Sequence, residues 1–218
     1  MKFKNKTIQI SCDGGAATGK STGARMISKK FKLKFLSSGL LYRYASYLIL
    51  KNKPKNELKF LKSKFKNLNH KKLSRINLHI PKISKHSSII AKNNNIRNIL
   101  KKFQIDFVKK NKRCCIEGRD ISTKIMPNSD VKFFFICSLN VASKRRYSEL
   151  KKTSTKIKLS EVKNALRLRN ISDINRKNSP LLRHPDSISI DTGKLDKQAM
   201  LLKMSKHVEK LLKTKYGH

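Results

Sequence analysis

The chain has 218 residues, 38% hydrophobic and without Trp, which suffices for one packed core with room for a small insert. Its 53 Lys and Arg against 13 Asp and Glu give a formal net charge of +40, favouring anionic partners. No apolar run reaches the roughly 18 residues of a membrane span, and the first seven residues lack a signal peptide's apolar region. The charge discriminates weakly, because Lys and Asn are spread beside Ile along the whole chain with no dense basic block. It reads as compositional bias as readily as a binding stripe, and implies only non-specific RNA adhesion at low salt. The four cysteines, Cys12, Cys114, Cys115 and Cys137, form no C-x-x-C pair, so a cytoplasmic, reduced protein without a cysteine metal site is expected.

The first element is a strand through Ile8, Ile10 and Cys12. Gly14-Gly15-Ala16-Ala17-Thr18-Gly19-Lys20-Ser21 then satisfies G-x-x-x-x-G-K-[ST] in full, and Thr22, Ala24, Met26 and Ile27 lead into a helix. Glycines let backbone N–H groups close around phosphate oxygens, and the following helix points its positive end at the same anion. Lys20 supplies a charge for the outer phosphates, and the Ser21 hydroxyl is placed to meet Mg²⁺. Residues 14–22 are therefore read as a nucleotide phosphate site.

A short strand over 33–36 follows, ending in Ser37-Ser38-Gly39. Leu40, Leu41, Tyr44, Ala45, Leu48 and Ile49 then repeat at helical spacing up to Pro54, with Ser38, Tyr42 and Arg43 near the helix start. Residues 55–85 carry irregular Leu and Phe among Lys and Asn, with one alternating piece, Ile76 to Ile80. His70, His79 and His86 show no ligand spacing and are read as structural or solvated. Periodicity returns from Ser88 through Ile96, Arg97, Leu100, Phe103 and Phe107; Arg97 among apolar neighbours fits a snorkelling arginine as well as a ligand. A buried strand at Cys114 to Glu117 breaks at Gly118 into Arg119 and Asp120. Charges just past a strand's carboxyl end belong to the ligand crevice of an α/β sheet, against the alternative of a surface ion pair.

A turn over 127–130 leads into the continuous apolar strand 131–136, of parallel-sheet type. The helix over 141–150 carries Lys144, Arg145 and Arg146. A polar linker over 151–158, a Ser160 N-cap and a helix over 161–170 follow, then Arg169 to Arg176 with Asp173 between. A strand over 187–190 ends in Asp191-Thr192, and an amphipathic helix over 197–212 closes the chain. The alternation predicts α/β architecture, a parallel five-stranded sheet flanked by helices.

Arginines recur beside turns and helix ends in a chain whose default cation is Lys, and guanidinium forks bind phosphate bidentately where ammonium cannot. A kinase acting on a phosphorylated acceptor must bring two polyanions together. At an effective dielectric near 20, each pair of unit charges 4 Å apart costs about 4 kcal/mol. Several fixed cations are therefore needed, and no catalytic base, since a phosphate of second pKa about 6 is already nucleophilic.

The ordered motifs Asp13-Gly14 to Lys20, Ser38-Gly39-Leu40-Leu41-Tyr42-Arg43, Gly118-Arg119-Asp120, Pro127 to Phe135, Arg145-Arg146, Arg169 to Arg176 and Asp191-Thr192 span almost the whole chain. In them the chain resembles the bacterial cytidylate kinases, of the P-loop nucleoside-monophosphate kinase group. The resemblance implies Mg²⁺-dependent transfer of the ATP γ-phosphoryl group to CMP or dCMP by a monomer. It implies one P-loop domain over 1–218, with an NMP-binding insert over 55–92 and an arginine-rich lid over 145–180. By matched position, Gly14 to Thr22 hold the ATP phosphates and Ser21 the metal. Ser88, Arg97 and Asp120 read cytosine, Arg43 and Arg119 clamp the acceptor phosphate, and Ser38 and Tyr42 also belong to the CMP site. Asp173 takes the ribose hydroxyl with Arg169, and Arg145, Arg146 and Arg176 close on the transferring group. Lys20, Arg119, Arg145 and Arg176 are thereby the expected catalytic residues.

Departures from the family pattern are Ser37 for Asp, Glu117 for Asp, Ser122 for Gly, Gly15-Ala16 for Pro-Ser, Asn170 for an acid, and Ser21 for Gly. The insert before Ser88 is shorter by roughly fifteen residues, aligning the flanking motifs. Two rivals stand beside this reading: another P-loop kinase of a small phosphorylated metabolite, and a basic RNA- or ribosome-associated P-loop protein.

Overall fold

The computed structural model describes residues 3, 5–152 and 157–217; residues 153–156 of the expected 151–158 linker, and of the 145–180 lid, lie outside them. Two compact units emerge, Met1–Phe35 with Lys112–His218, and Leu36–Asn111.

The sheet consists of β1 (Ile8–Gly14), β2 (Lys34–Ser37), β3 (Arg113–Gly118), β4 (Val131–Ile136) and β5 (Ile188–Asp191), in the order β2-β3-β1-β4-β5. β1 pairs in parallel with β3 on one side and β4 on the other, and β4 with β5. The chain thus switches sides of β1 between β3 and β4, and the loop after β1 sits at that switch, where ligands bind in open α/β sheets.

In β1, Ile8, Ile10 and Cys12 point to one face and Gln9, Ser11 and Asp13 to the other, the period-2 pattern of a strand. The first set joins Val131, Phe133 and Phe135 of β4 in a core covered by α1 (Lys20–Lys30) and α8 (Lys197–Tyr216). Helix α1 contributes Ala24, Ile27 and Phe31; α8 contributes Met200, Met204, Val208 and Leu212, one per turn. Each fully buried large side chain stabilises this layer by about 1.5–3 kcal/mol.

The second unit is helical: α2 (Ser38–Asn52), α3 (Glu57–Lys66), α4 (Pro81–Ile90) and α5 (Asn94–Lys110), with a 3₁₀ turn at His70–Arg75. The Asn-rich composition has a local use here. The side chains of Asn56, Asn69 and Asn93 accept from backbone N–H groups at the starts of α3, the 3₁₀ turn and α5. An aromatic chain runs from Tyr44 to Phe65, from Phe65 edge-on to Phe103, and on to His70, which also stands edge-on to Phe107 at 5.1 Å. His70 is thus a packing residue. The alternating piece Ile76 to Ile80 forms no strand; it leads into Pro81, which opens α4 at a position where its missing N–H costs nothing.

Helix α6 (Leu139–Lys151) and helix α7 (Leu159–Asn175) complete the first unit. The expected Ser160 cap is corrected. Lys158, in extended conformation, is the N-cap, and its N–H donates to the Glu161 carboxylate at 3.4 Å, which places Ser160 inside the first turn. α7 also runs past the expected end at residue 170 and stops only where Arg176 turns extended. Its continuation carries Asp173 on the same helix as Arg169. All four cysteines are free thiols, Cys12, Cys114 and Cys115 buried. No helix among the described residues is long and apolar enough to cross a membrane.

Candidate active site

The loop from Gly14 to Ser21 leaves β1 and enters α1 with little slack. A Cβ on Gly14 would lie 2.5 Å from the Phe135 carbonyl oxygen, and Gly19, the N-cap of α1, has φ 80°, in the left-handed region. Lys20, the first residue of α1, is only 7% exposed and folds back to donate to the Gly15 carbonyl at 2.9 Å. The Thr18 hydroxyl donates to the same oxygen at 3.0 Å. Burial, then the Arg119 charge, and also Arg169, push the Lys20 ammonium down to about 7, against the opposing pull of Glu117 and Asp173. Ser21 and Thr22 are exposed at the start of the helix.

Asp13 anchors the turn beyond β3. Its Oδ1 accepts from the Ile121 N–H at 2.8 Å, and its Oδ2 from the Ser122 N–H and hydroxyl at 2.7 and 2.6 Å. These bonds fix a π-helical turn at Ile121–Ile125, directly after Gly118-Arg119-Asp120. Complete burial raises the Asp13 carboxyl to about 6, although all three donors lower it. The hydroxyl of Ser122 supplies one bond that Gly could not. The sequence signals this clamp only by a carboxylate in an apolar strand next to Gly14.

Arg119 lies against α7. Its Nε donates to Asp173 Oδ2 at 2.9 Å, and its side chain is 15% exposed, so the pair is not a surface one. Arg169 Nε stands 4.0 Å from the same oxygen, and Arg176 Nη1 is 3.6 Å from Asp173 Oδ1. Arg176 Nη2 also reaches Asp120 Oδ1 at 4.0 Å. Positions 169, 173 and 176 share one side of α7 and its end, at i, i+4 and i+7 spacing. Burial alone would raise the Asp173 carboxyl, but Arg119, Arg169, the Arg119 hydrogen bond and Arg176 outweigh it and hold the group below the usual carboxylate range. Three guanidinium groups against two carboxylates leave this cluster positive.

Arg145, on α6, reaches the other end of the loop. It donates through Nη1 to the Thr192 hydroxyl at 2.8 Å and through Nη2 to the Thr192 carbonyl at 2.6 Å. Thr192 in turn donates to the Thr18 carbonyl at 2.8 Å, so Arg145 is held beside the Gly19 end of the loop. Arg146 pairs with Glu149 at 2.9 Å.

In the second unit, Ser37 caps α2 by accepting the Leu40 N–H at 3.2 Å, which sets Ser38, Tyr42 and Arg43 on its first turns. Arg97 of α5 lies over the Tyr42 ring, 5.6 Å from its centroid, and donates to the Ala91 carbonyl at 3.1 Å. The Ser88 hydroxyl donates to the Ser84 carbonyl at 3.3 Å. Tyr42 and Arg97 thereby form one group, with Ser88 on the neighbouring α4.

A hard cation such as Mg²⁺ takes hydroxyl, phosphate and water oxygens, and the exposed Ser21 hydroxyl beside Lys20 fits that donor set. Among the described residues, no three His, Cys, Asp or Glu side chains converge on a metal-sized site.

A phosphate loop at the sheet's switch point, faced by a preformed arginine cluster, defines a P-loop phosphotransferase. The chain belongs to the cytidylate kinase family, whose model, described as Cytidylate kinase, matches residues 10–210. The cytidylate kinase of Thermosipho melanesiensis is 32% identical over 215 residues, covering 94% of this chain and 98% of that protein. That of Bartonella tribocorum is 33% identical over 214 residues, covering 95% and 97%. Among solved structures, an uncharacterized protein from Eubacterium ventriosum shares the fold, with a TM-score of 0.57 at 15% identity, over 94% of this chain and 99% of that one.

The low Lys20 value has a measurable consequence. With its value near 7, Lys20 sheds its proton as the pH rises above neutrality, and a polyphosphate placed at this loop would restore it. Nucleotide binding at pH 8 is expected to take up close to one proton, and at pH 6 almost none. Calorimetry in buffers of different ionisation enthalpy reads this directly; equal uptake at both pH values would refute it. In folding the sign is set by the same shift: the unfolded chain binds the extra proton between about pH 7 and 10.5, so this group's contribution to stability rises across that window.

Proposed function

We propose that the chain transfers the γ-phosphoryl group of ATP to CMP or dCMP, with Mg²⁺, in the cytoplasm and as a monomer. The observation that carries this reading is the Arg119–Asp173–Arg169–Arg176 cluster in the same unit as the Lys20 loop, with Arg119 close enough to depress the Lys20 ammonium. One phosphate loop alone serves any nucleotide hydrolase. A second cationic centre beside it is what an enzyme joining two phosphate groups requires.

In this reading residues 14–22 hold the ATP phosphates, with Lys20 on the outer ones. Mg²⁺, held on the protein side by Ser21, would neutralise charge between the outer phosphates. Arg119 orients the acceptor phosphate, whose own oxygen is the nucleophile, and Arg43 of the second unit is a further candidate for that phosphate. Asp173, its carboxyl held ionised, accepts the ribose hydroxyl, with Arg169 beside it. In the second unit Ser88 and Arg97, with Ser38 and Tyr42, are the candidates to bind the nucleoside on an insert spanning 55–92 and the elements flanking it; in the first unit Asp120 is a further candidate for the cytosine edge. Arg145 and Arg176 belong to a 145–180 lid that closes over the transferring group and excludes water. No residue acts as general base.

Incubation with γ-labelled ATP and CMP is expected to move the label into CDP, dependent on added Mg²⁺. Labelled inorganic phosphate without CDP would instead indicate a hydrolase. Tight, salt-sensitive RNA binding with no transfer to any free nucleotide would favour the RNA-associated alternative.

A further inference from the structure

The peptide unit joining Gly15 to Ala16 is tied at both ends. Its carbonyl accepts from Lys20 Nζ and the Thr18 hydroxyl, at 2.9 and 3.0 Å. Its N–H donates to the side-chain oxygen of Asn170 on α7, at 3.1 Å. The Ala16 methyl is buried against Ala142, Val162 and Leu166. Leu166 and Asn170 stand four residues apart on α7, hence on one face of it. One face of α7 therefore leans on the loop, and Asn170 makes the polar contact.

An anion entering the cradle claims backbone N–H groups and the Lys ammonium. Here both kinds of donor are engaged by neutral amide oxygens: Lys20 by Gly15, Ala16 by Asn170. A carboxamide oxygen is the uncharged counterpart of a phosphate oxygen. The Ala16 N–H belongs to the peptide that Lys20 holds, and that lysine serves the outer phosphates, so this N–H faces the terminal one.

We propose that Asn170 is a placeholder for a terminal phosphate oxygen: it accepts the Ala16 N–H and yields it when a nucleoside triphosphate binds. The exchange releases the polar contact between the loop and α7, which carries Arg169, Asp173 and Arg176, at the moment the γ-phosphate arrives, while the apolar contact through Ala16 remains. Asn170 is thus a positioning residue that couples occupancy of the loop to the arginine helix. The inference rests on reading residues 14–22 as the ATP site.

The test is equilibrium binding of ATP and ADP, without acceptor, to wild type, Asn170→Ala and Asn170→Asp. Removing the competing oxygen is expected to tighten ATP binding about two- to tenfold, the range of one neutral hydrogen bond, and to change ADP binding less than about twofold. The aspartate variant accepts the Ala16 N–H more strongly, so in it the Ala16 amide is expected to exchange with solvent deuterium more slowly than in wild type. In the free protein, the Ala16 amide is expected to exchange with solvent deuterium faster in Asn170→Ala than in wild type. Unchanged or weaker ATP binding by Asn170→Ala, or equal gains for ATP and ADP, would overturn the placeholder role while leaving the ATP site standing. Failure of wild type to bind ATP at all would overturn the site reading and this inference with it.

Discussion

Lys20→Ala is expected to lower the turnover of phosphoryl transfer by about 10²–10³-fold, the scale of losing one preorganised charge at a developing anion. The residue is placed for this and costs the fold something. Its ammonium is buried and depressed, and it donates to the Gly15 carbonyl, which the Thr18 hydroxyl also serves. Removing it leaves that carbonyl satisfied and relieves a buried charge, so the thermal midpoint is expected to stay level or rise. A steady-state assay beside a melting curve separates the two effects. Turnover within a few fold of wild type would refute the phosphate-cradle role, and a collapsed melting temperature would mean that Lys20 serves the fold.

Arg119→Lys is expected to reduce kcat/KM for the acceptor about 10- to 100-fold, with the positive charge kept. What is lost is the fork. Arg119 spends its Nε on Asp173, and its remaining N–H groups are those that a phosphate would take in a bidentate pair. A lysine at this position could satisfy either the carboxylate or the phosphate, and it would do so as a point charge. The expected mark is a rise in acceptor KM together with a fall in kcat, while the KM for ATP moves little. A fall of less than about threefold would reduce Arg119 to an ion-pair partner of α7.

The parts of this molecule that could be read from the sequence are those written in consecutive residues. The loop from Gly14 to Ser21 is a contiguous motif between an alternating strand and a helical pattern, and both neighbours formed as the apolar spacing required. The five strands were legible because parallel strands are apolar runs bounded by turns, and each lies within a residue or two of its expected bounds. The positions of Arg169, Asp173 and Arg176 were legible as spacing. Their meeting with Arg119, more than fifty residues away in the chain, was not, because nothing local selects that partner. The same holds for Asp13 with Ile121 and Ser122, and for Asn170 with the loop. A π-helical turn also has no hydropathic period to announce it. Between residues 55 and 85 the uniform Lys and Asn background obscures a helix and a 3₁₀ turn whose only local marks are their caps, Asn56 and Asn69.

The central claim is that an arginine cluster beside the Lys20 loop makes this chain a kinase of a phosphorylated pyrimidine acceptor. The most direct measurement is kcat/KM for CMP, dCMP, UMP, AMP and dTMP, each with saturating ATP and Mg²⁺. CMP and dCMP are expected to lead the series, as membership of the cytidylate kinase family requires. Turnover chiefly of AMP or dTMP, or of none of the five, would contradict the account.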